Sequence, residues 1–260
     1  MSEIPLYVVQ RQGISAYNLH MLQRDLTQYL AQYKPGTGVV GFFECESTIS
    51  FGNATRRNSL KPGSQTDVDS RIESFFQTDL YFPDSGLIPF IKSERGGGST
   101  YLGPGQRTIF FILPMVEETV AGFDSFVNSF LETTVKDATK NDQIISVPKK
   151  DLIYVDEHGL EYKLASKGLS FKLYNNRLYS QFGVSIHVLR DSVEGFARVN
   201  PCGFENLLVT SCQDLNSLVT MESFDTGAYN YLSKHFSKLI RPGSPANYMQ
   251  KNVDNYLSGL

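Results

Sequence analysis

A glycine-rich stretch between two apolar segments most constrains how this chain folds. The stretch SERGGGSTYLGPGQ, from Ser93 to Gln106, has five glycines in fourteen residues. Because glycine lacks a Cβ atom, such a backbone turns tightly and lets a ligand approach closely. The flanking segments LIPFIKS and TIFFILPM are typical of strands. The sequence therefore predicts a strand, a glycine-rich turn and a second strand at the edge of a sheet.

This turn has two interpretations. A glycine-rich loop between strands is often only a mobile connection, and neither G-x-x-x-x-G-K-[ST] nor a helix-opening G-x-G-x-x-G is present in the sequence. The same stretch, however, carries a cation, a hydroxyl, an aromatic ring and an amide, on Arg95, Thr100, Tyr101 and Gln106. These groups favour a site that binds a carbonyl or a phosphate.

The composition is that of an ordinary globular protein. The chain has 260 residues, of which 41% are hydrophobic and 20% charged, so we predict one domain over residues 1–260. A net charge of −3 is too small for non-specific attraction to nucleic acid or to an anionic membrane. The first residues lack the pattern of a secretory signal, and no apolar run reaches membrane-spanning length. Neither nucleic acid nor membrane is an expected partner.

The cysteines indicate the compartment. Cys45, Cys202 and Cys212 form no C-x-x-C pair, so neither a disulfide framework nor a Cys-rich zinc site is predicted. A reducing compartment fits best, and we expect a cytoplasmic location, with the mitochondrial matrix as the alternative. Cys45 and Cys212 are interpreted as packed thiols, and no pattern of metal ligands is present.

Hydrophobic periodicity predicts three helices. Apolar residues at three- and four-residue spacing predict helices over residues 15–34, 118–138 and 226–240. Strands are predicted from segments rich in β-branched and aromatic residues, and Asn175 and Asn176 tolerate the positive φ of a tight hairpin. These strand segments are residues 38–52, 144–147, 152–155, 162–174 and 177–189. The mixture predicts an α/β or α+β domain built on a mixed sheet.

Cys202 is the candidate nucleophile. In RVNPCGFEN, Pro201 stiffens the backbone and Gly203 allows a substrate to approach, although an isolated cysteine is more often a small buried hydrophobic residue. A nucleophilic thiol needs a neighbour that favours the thiolate. The histidines carry no local signature that links them to Cys202, namely His20, His158, His187 and His235. Lysine is the other candidate, because an ammonium lowers the pKa of a thiol and a neutral amine acts as a base.

Three stretches resemble, in the same order, the signature motifs of the lipoyl(octanoyl) transferase family. SERGGGSTYLGPGQ is similar to the family's R-G-G-x-x-T-Y-H-G-P-G-Q loop, YKLASKGLSF to its K-[IL]-x-S-x-G strand, and RVNPCGFENLLVTS to its N-P-C-G loop. GFFECESTISFGN and SQFGVSIHV add further similarity. The resemblance is nearly continuous over residues 39–211.

The resemblance implies a fold and an activity. The fold is that of the biotin and lipoate protein ligases, a mixed sheet flanked by helices. The family transfers an octanoyl group from acyl carrier protein to a lysine of the lipoyl domains of 2-oxoacid dehydrogenases or of glycine-cleavage H protein. The resemblance implies that Cys202 forms a thioacyl-enzyme and that Lys163 lowers the pKa of the thiol and acts as base. It also implies an acyl-substrate site formed by Arg95, Gly96, Gly97, Gly98, Ser99, Thr100, Tyr101, Leu102, Ser166, Lys167, Gly168, Gly183, Val184 and Ser185.

Thioester chemistry agrees with that assignment. One thioester exchanges for another at nearly equal energy, and a covalent intermediate divides the transfer into two steps. No cofactor, ATP or metal is therefore expected. An eight-carbon chain in an apolar slot contributes roughly 5 kcal/mol, at about 0.8 kcal/mol per methylene, which is enough to select chain length. The chain is expected to act as a monomer.

Two departures from the family pattern bear on specificity. Leu102 and Phe182 stand where the family motifs usually have histidine, so altered contacts to the acyl donor, an altered acyl preference or lost activity are alternatives. An ATP-dependent lipoate-protein ligase shares the fold. A non-catalytic homologue that binds acyl carrier protein or lipoyl domains is the remaining alternative.

Basic residues alternate with aromatic ones after the second motif. Lys167, Lys172 and Arg177 are interpreted as the solvated face of a hairpin or as an electropositive strip. Such a strip would dock nucleic acid or the acidic acyl carrier protein.

Overall fold

The computed structural model describes residues 4–52, 88–93, 95–147, 151–196, 208–236 and 238–259. In these ranges the helices are α1 (Ala16–Tyr33), α2 (Glu117–Thr139), α3 (Asp191–Phe196), α4 (Cys212–Leu215), α5 (Met221–His235) and α6 (Tyr248–Ser258). The strands are β1 (Pro5–Ile14), β2 (Gly38–Cys45), β3 (Thr48–Phe51), β4 (Phe90–Lys92), β5 (Ser99–Leu102), β6 (Gln106–Ile112), β7 (Pro114–Met115), β8 (Ile144–Val147), β9 (Asp151–Val155), β10 (Glu161–Gly168), β11 (Phe171–Tyr174), β12 (Arg177–Ser180), β13 (Phe182–His187), β14 (Leu208–Val209) and β15 (Lys238–Ile240).

A mixed sheet forms the centre of the fold. Within the described residues it has nine strands in the order β15-β1-β2-β6-β13-β10-β9-β8, and β14 pairs with β10. β1 is parallel to β2 and to β15, whereas β6 and β13 are antiparallel to their neighbours. Two smaller sheets, β4-β3-β5 and β11-β12-β7, lie beside it. The predicted mixed sheet with flanking helices is confirmed.

Alternating side chains bury both faces of this sheet. On β6, Ile109 and Phe111 pack into the cluster that contains the apolar residues of α2 and α5. Phe110 and Ile112 point the other way, into the cluster formed with α1 and α6. Because successive strand residues point to opposite faces, a strand covered on both sides is apolar throughout. This explains why TIFFI carries no alternation of polar and apolar residues.

The first two predicted helices are confirmed. α1 begins after Ser15, whose Oγ accepts a hydrogen bond from the Asn18 amide at 3.1 Å, as expected of an N-cap serine. The predicted inward stripe of α2 lies in the core. No helix in the described part of the chain is both long enough and apolar enough to cross a membrane.

The prediction for the third helix is wrong at both ends. Helix α5 begins at Met221, because Thr220 caps it and accepts a bond from the Ser223 amide at 3.1 Å. It ends at His235, and residues 238–240 instead form β15, which pairs with β1. Neither β1 nor helix α6 was predicted from the sequence.

The glycine-rich stretch is more than the predicted turn. Ser99–Leu102 forms β5 and pairs with β3, whereas β6 pairs with β2 and β13 in the main sheet. The stretch therefore crosses from one sheet to another, and the prediction of a simple turn between two strands is wrong.

The predicted hairpin is confirmed, since Asn175 and Asn176 have φ of 49° and 59° between β11 and β12.

Candidate active site

The candidate site is a cavity of about 100 Å³ between α1, the glycine-rich stretch and the centre of the main sheet. One wall is a face of α1 formed by Ala16, Leu19, His20 and Gln23. Apolar side chains from the other elements include Ile91, Leu102 and Phe110. Nine of the residues that the resemblance implies for the acyl site line this cavity, namely Arg95, Thr100, Leu102, Ser166, Lys167, Gly168, Gly183, Val184 and Ser185. Apolar walls with a few polar groups are typical of a small-molecule site.

Two rows of residues cross the central strands inside the cavity. The hydroxyl row consists of Ser166, Ser185 and Thr108, which are partners across β10, β13 and β6. The glycine row consists of Gly168, Gly183 and Phe110, one pleat further along the same strands. A Cβ atom on Gly168 would lie 2.9 Å from Arg95 Cδ, so this position needs glycine for the arginine side chain to lie across the strand.

Arg95 holds the glycine-rich turn in shape. Its Nη2 donates to the carbonyl oxygens of Ser50 and Gly98, at 2.6 and 2.7 Å. Its Nη1 donates to Gly96 O at 3.2 Å, and its Nε to Ser50 Oγ at 3.2 Å. Because the guanidinium group binds backbone carbonyls of the turn and of β3, it fixes the turn against β3. A contact of Arg95 with substrate stays a prediction.

The other predicted residues of the glycine-rich stretch do not line the cavity, namely Gly96, Gly97, Gly98, Ser99 and Tyr101. The Tyr101 side chain packs between Gly103 and Gly195. An added Cβ would lie 2.1 Å from the Tyr101 hydroxyl oxygen at Gly103 and 2.1 Å from the ring carbon Cζ at Gly195. The Tyr101 hydroxyl lies 2.9 Å from Ser47 Oγ. Tyr101 is thus a packing residue that joins the stretch to α3, and this packing explains two of the glycines.

Lys163 forms a buried ion pair. Its Nζ lies 3.0 Å from Asp151 Oδ2, and the lysine side chain is 1% exposed. The same carboxylate oxygen accepts a bond from the Lys167 amide at 3.2 Å. A β-bulge at Leu164 shifts the register of β10 against β9, and bulges of this kind re-aim side chains near active sites. Asp151, which has a φ of 65°, was not predicted from the sequence as a site residue.

His187 is a second buried polar residue beside Lys163. Its Nδ1 lies 3.0 Å from Ser192 Oγ, whose hydroxyl donates to Leu189 O at 2.6 Å. Gln106 Nε2 also lies 3.5 Å from Nδ1, and Nε2 of His187 has no hydrogen-bond partner among the described residues. Burial, and secondarily the charge of Lys163, lowers the pKa of His187 to about 3. The ring is thus neutral at physiological pH.

Lys167 does not belong to the predicted electropositive strip. Its Nζ donates to Asp124 Oδ1 and Asn128 Oδ1, both at 2.7 Å. These acceptors lie on α2, so the ammonium is directed away from the β11–β12 hairpin that carries Lys172. The prediction of a strip that includes Lys167 is wrong, because the alternation of strand side chains turns this residue toward the helix.

Cys202 lies outside the described residues, as does the side chain of Phe182. The described residues nearest to Cys202 in sequence are Phe196 and Leu208, and β14 pairs with β10 so that Val209 is opposite Lys163. Phe196 and Val209 pack with Tyr101 in one small cluster.

The other two cysteines, Cys45 and Cys212, are fully buried, and burial raises the pKa of each thiol to about 12. In the described ranges, no group of three or more His, Cys, Asp or Glu residues is arranged to hold a metal ion.

The wall formed by α1 was not predicted as part of the site. The residues at 16, 19, 20 and 23 follow the spacing of one helix face, and two of them, His20 and Gln23, are polar. That pair of polar residues beside the leucine stripe is the signal that distinguishes this face from an ordinary core face. Gln181 also lines the cavity and was likewise not predicted.

Known proteins show clear similarity to this chain. The sequence model of the lipoyl protein ligase A/B catalytic domain matches residues 77–233. An octanoyltransferase of Pseudomonas entomophila is 32% identical over 152 residues, which are 58% of this chain and 66% of that protein. An octanoyltransferase of Coxiella burnetii is 31% identical over 142 residues, 54% of each protein. The matching region thus spans less than two thirds of the length of these curated relatives.

Solved structures are similar in fold. A lipoate-protein ligase A bound with ATP has a TM-score of 0.60 at 11% identity, over 98% of this chain and 94% of that chain. A T. acidophilum protein with bound lipoic acid has a TM-score of 0.59 at 10% identity, over 99% and 95%. The bipartite lipoate protein ligase of Thermoplasma acidophilum, studied with its E2 lipoyl domain, has a TM-score of 0.54 at 10% identity, over 99% and 92%. These likenesses confirm the predicted ligase-like fold.

Proposed function

Because this chain belongs to the lipoyl protein ligase A/B catalytic domain family, we propose that it is an acyltransferase that moves an octanoyl group from octanoyl-acyl carrier protein to a lysine of a lipoyl domain. The observation that carries this proposal is the cavity, which gathers nine residues of the octanoyltransferase-like motifs around one apolar space. The octanoyltransferase relatives support the octanoyl group as the cargo. Lipoyl domains as acceptors are supported by the related Thermoplasma ligase, which was studied with such a domain.

We propose Cys202 as the nucleophile. In the first step its thiolate attacks the thioester carbonyl, the bond from that carbon to the donor sulfur breaks, and the carrier leaves as a thiol after taking up a proton. In the second step the ε-amine of the acceptor lysine attacks the acyl-enzyme, an amide forms, and the Cys202 thiolate and a proton are released. The buried and weakly acidic thiols of Cys45 and Cys212 favour Cys202 as the reactive cysteine.

We propose Lys163 as the partner of the Cys202 thiolate. Its Nζ lies 3.0 Å from Asp151 Oδ2, and this contact fixes the position of the lysine head group. An ammonium favours a neighbouring thiolate and can return a proton to the departing thiol. We therefore propose that Lys163 stabilises the Cys202 thiolate and acts as the base that exchanges a proton with the thiol. Neither ATP nor a metal takes part in this scheme.

ATP-dependent lipoate ligation is the second candidate. It is favoured by the similar fold of a lipoate-protein ligase A that was solved with ATP. Ligation activates a free acid as an adenylate, whereas transfer starts from a thioester and needs no nucleotide. The two reactions therefore differ in their donor and in their dependence on ATP.

A transfer assay separates the candidates. The protein is incubated with a lipoyl domain and octanoyl-acyl carrier protein without ATP, or with octanoic acid and ATP, and the mass of the lipoyl domain is recorded. Octanoylation from the carrier alone supports the transferase. Octanoylation only from the free acid with ATP supports the ligase. Binding of carrier or lipoyl domain without any modification supports a non-catalytic homologue.

A further inference from the structure

The cavity has a near end and a far end relative to Lys163. Along β10, Lys163 comes before Ser166 of the hydroxyl row, and Gly168 of the glycine row comes two residues after Ser166. Two residues of a strand span about 7 Å, so the glycine row lies about 7 Å further from Lys163 than the hydroxyl row. Beyond the glycine row, the backbone amide of Gln181 donates to Ser170 O at 2.8 Å, and both residues line the cavity. An acyl chain whose carbonyl lies near Lys163 therefore points its tail toward Gln181.

Helix α1 runs along the cavity in the same direction. It starts just after β1, whose last residue pairs with Cys45, and Cys45 Sγ lies 3.9 Å from Thr108 Oγ1 of the hydroxyl row. Further along the helix, Thr27 Oγ1 accepts a bond from Gln181 Nε2 at 3.0 Å. Gln23 lies one turn before Thr27, so it faces the far part of the cavity.

The far end of the cavity is polar, whereas its walls are largely apolar. The side-chain amide of Gln181 already donates to Thr27 Oγ1. In contrast, Gln23 Nε2 is buried without a hydrogen-bond partner among the residues that the structure describes. Burying an amide against hydrocarbon, with no partner at all, is unfavourable. A chain that ends before Gln23 leaves room for water to satisfy this amide, whereas a longer apolar chain displaces that water.

We propose that Gln23 limits the length of the acyl chain that this site accepts. This specificity role rests on the proposed acyl transfer, because it concerns the same cavity. Each methylene that fits before Gln23 gains favourable burial, and each methylene beyond it desolvates the amide. The site therefore selects medium-length saturated chains, and it accepts a longer substrate when the added atoms include a hydrogen-bond acceptor.

Binding measurements with matched variants test this role. The ligands are pantetheine analogues that carry octanoyl, decanoyl or 8-hydroxyoctanoyl groups through an amide, which cannot be transferred. Their dissociation constants are measured by calorimetry for wild type, Gln23→Leu and Gln23→Met. Gln28→Leu is the control, because Gln28 lies on the same helix but is exposed. The Met variant keeps the length of the side chain and guards against misfolding of the Leu variant.

The expected result is a change in preference between ligands. In both Gln23 variants the ratio of decanoyl to octanoyl affinity rises about tenfold, the factor that two buried methylenes supply, and the advantage of the 8-hydroxy ligand over decanoyl is lost. Gln28→Leu leaves both ratios at the wild-type values. Unchanged ratios in a folded Gln23 variant overturn the proposal, as does an equal shift in the control.

The test is independent of turnover. If no octanoyl transfer is detected but the ratios change as expected, the length role of Gln23 stands and the proposed function fails. If transfer occurs but the ratios do not change, the proposed function stands and the length role of Gln23 fails.

Discussion

Lys163 Nζ and Asp151 Oδ2 lie 3.0 Å apart in the interior of the protein, on neighbouring strands of the main sheet. The carboxylate also accepts a bond from the Lys167 amide, so it fixes both the lysine head group and the strand that carries it. A buried ion pair is weak evidence for stability, but removal of one partner leaves an uncompensated charge. We therefore interpret the pair as a contact that fixes the Lys163 head group on β10, a strand that lines the cavity.

Asp151→Asn tests that interpretation. The variant should lower the free energy of unfolding by about 3 kcal/mol, because it leaves a buried lysine unpaired. It should also slow acyl-enzyme formation at least tenfold, while Asp151→Glu recovers part of the rate. Urea unfolding and single-turnover mass spectrometry measure the two effects.

Asp225→Asn is the matched control for that variant. Asp225 accepts two bonds from Arg107, at 2.9 and 2.8 Å, in another buried ion pair. Its loss should reduce stability comparably but leave the rate of acyl-enzyme formation within about twofold of wild type. Equal slowing of the reaction in both variants would show that the effect of Asp151 is only structural.

His187 should make stability depend on pH. Its pKa is lowered to about 3 in the folded protein, against about 6.5 in the unfolded chain. Between these values the unfolded chain binds the additional proton, so stability is complete above pH 6.5 and falls by about 1.4 kcal/mol per unit as the pH decreases toward 3. In His187→Asn this contribution disappears, and the difference in unfolding free energy between pH 7 and pH 5 becomes smaller. His158→Asn, which changes an exposed histidine, should retain the full difference.

Thiol reactivity should depend on Lys163. Native protein treated with iodoacetamide at neutral pH should be modified at Cys202 alone, because burial raises the pKa of Cys45 and Cys212 to about 12. In Lys163→Ala the reaction should be slowest relative to wild type at neutral pH and should recover partly at alkaline pH, as the thiolate fraction rises. Peptide mapping of the modified protein measures this. The same pH profile in variant and wild type would remove Lys163 from thiolate stabilisation.

Alanine substitution at two glycines in helices should change the free energy of unfolding in opposite directions. In Gly195→Ala the new Cβ would lie 2.1 Å from the Tyr101 ring, so the ring must move, and we expect a loss of at least about 2 kcal/mol in unfolding free energy. Gly227 has no heavy atom within 4 Å of an added Cβ. Gly227→Ala should therefore raise stability by up to about 1 kcal/mol, the difference in helix propensity. Similar values for the two variants would contradict the packing of Tyr101.

Local sequence signals predict part of the fold. The apolar stripes of α1 and α2 are buried, and Ser15 marks the start of α1. Both helices are therefore predictable from the sequence. The segment 238–240 is not, because Leu239 continues the helical spacing of Leu232 and Phe236 while pairing with β1 decides its structure. Strand pairing between residues so distant in sequence outweighs local preference.

The site shows the same division. Ser166, Lys167 and Gly168 are predictable because they lie within one ordered motif. Asp151 and Gln23 are not, because each reaches the site from an element outside the motifs. Only the pairing of β9 with β10, and the packing of α1 over the sheet, bring them there.

The most direct test of the account is the detection of the acyl-enzyme itself. Wild-type protein and Cys202→Ser are mixed with octanoyl-acyl carrier protein, without ATP or acceptor, and their intact masses and peptide maps are recorded. We predict one octanoyl adduct on wild type, located at Cys202, absent from the serine variant and discharged when a lipoyl domain is added. An adduct at another residue, or octanoylation of the lipoyl domain at an undiminished rate by Cys202→Ser, would contradict the account.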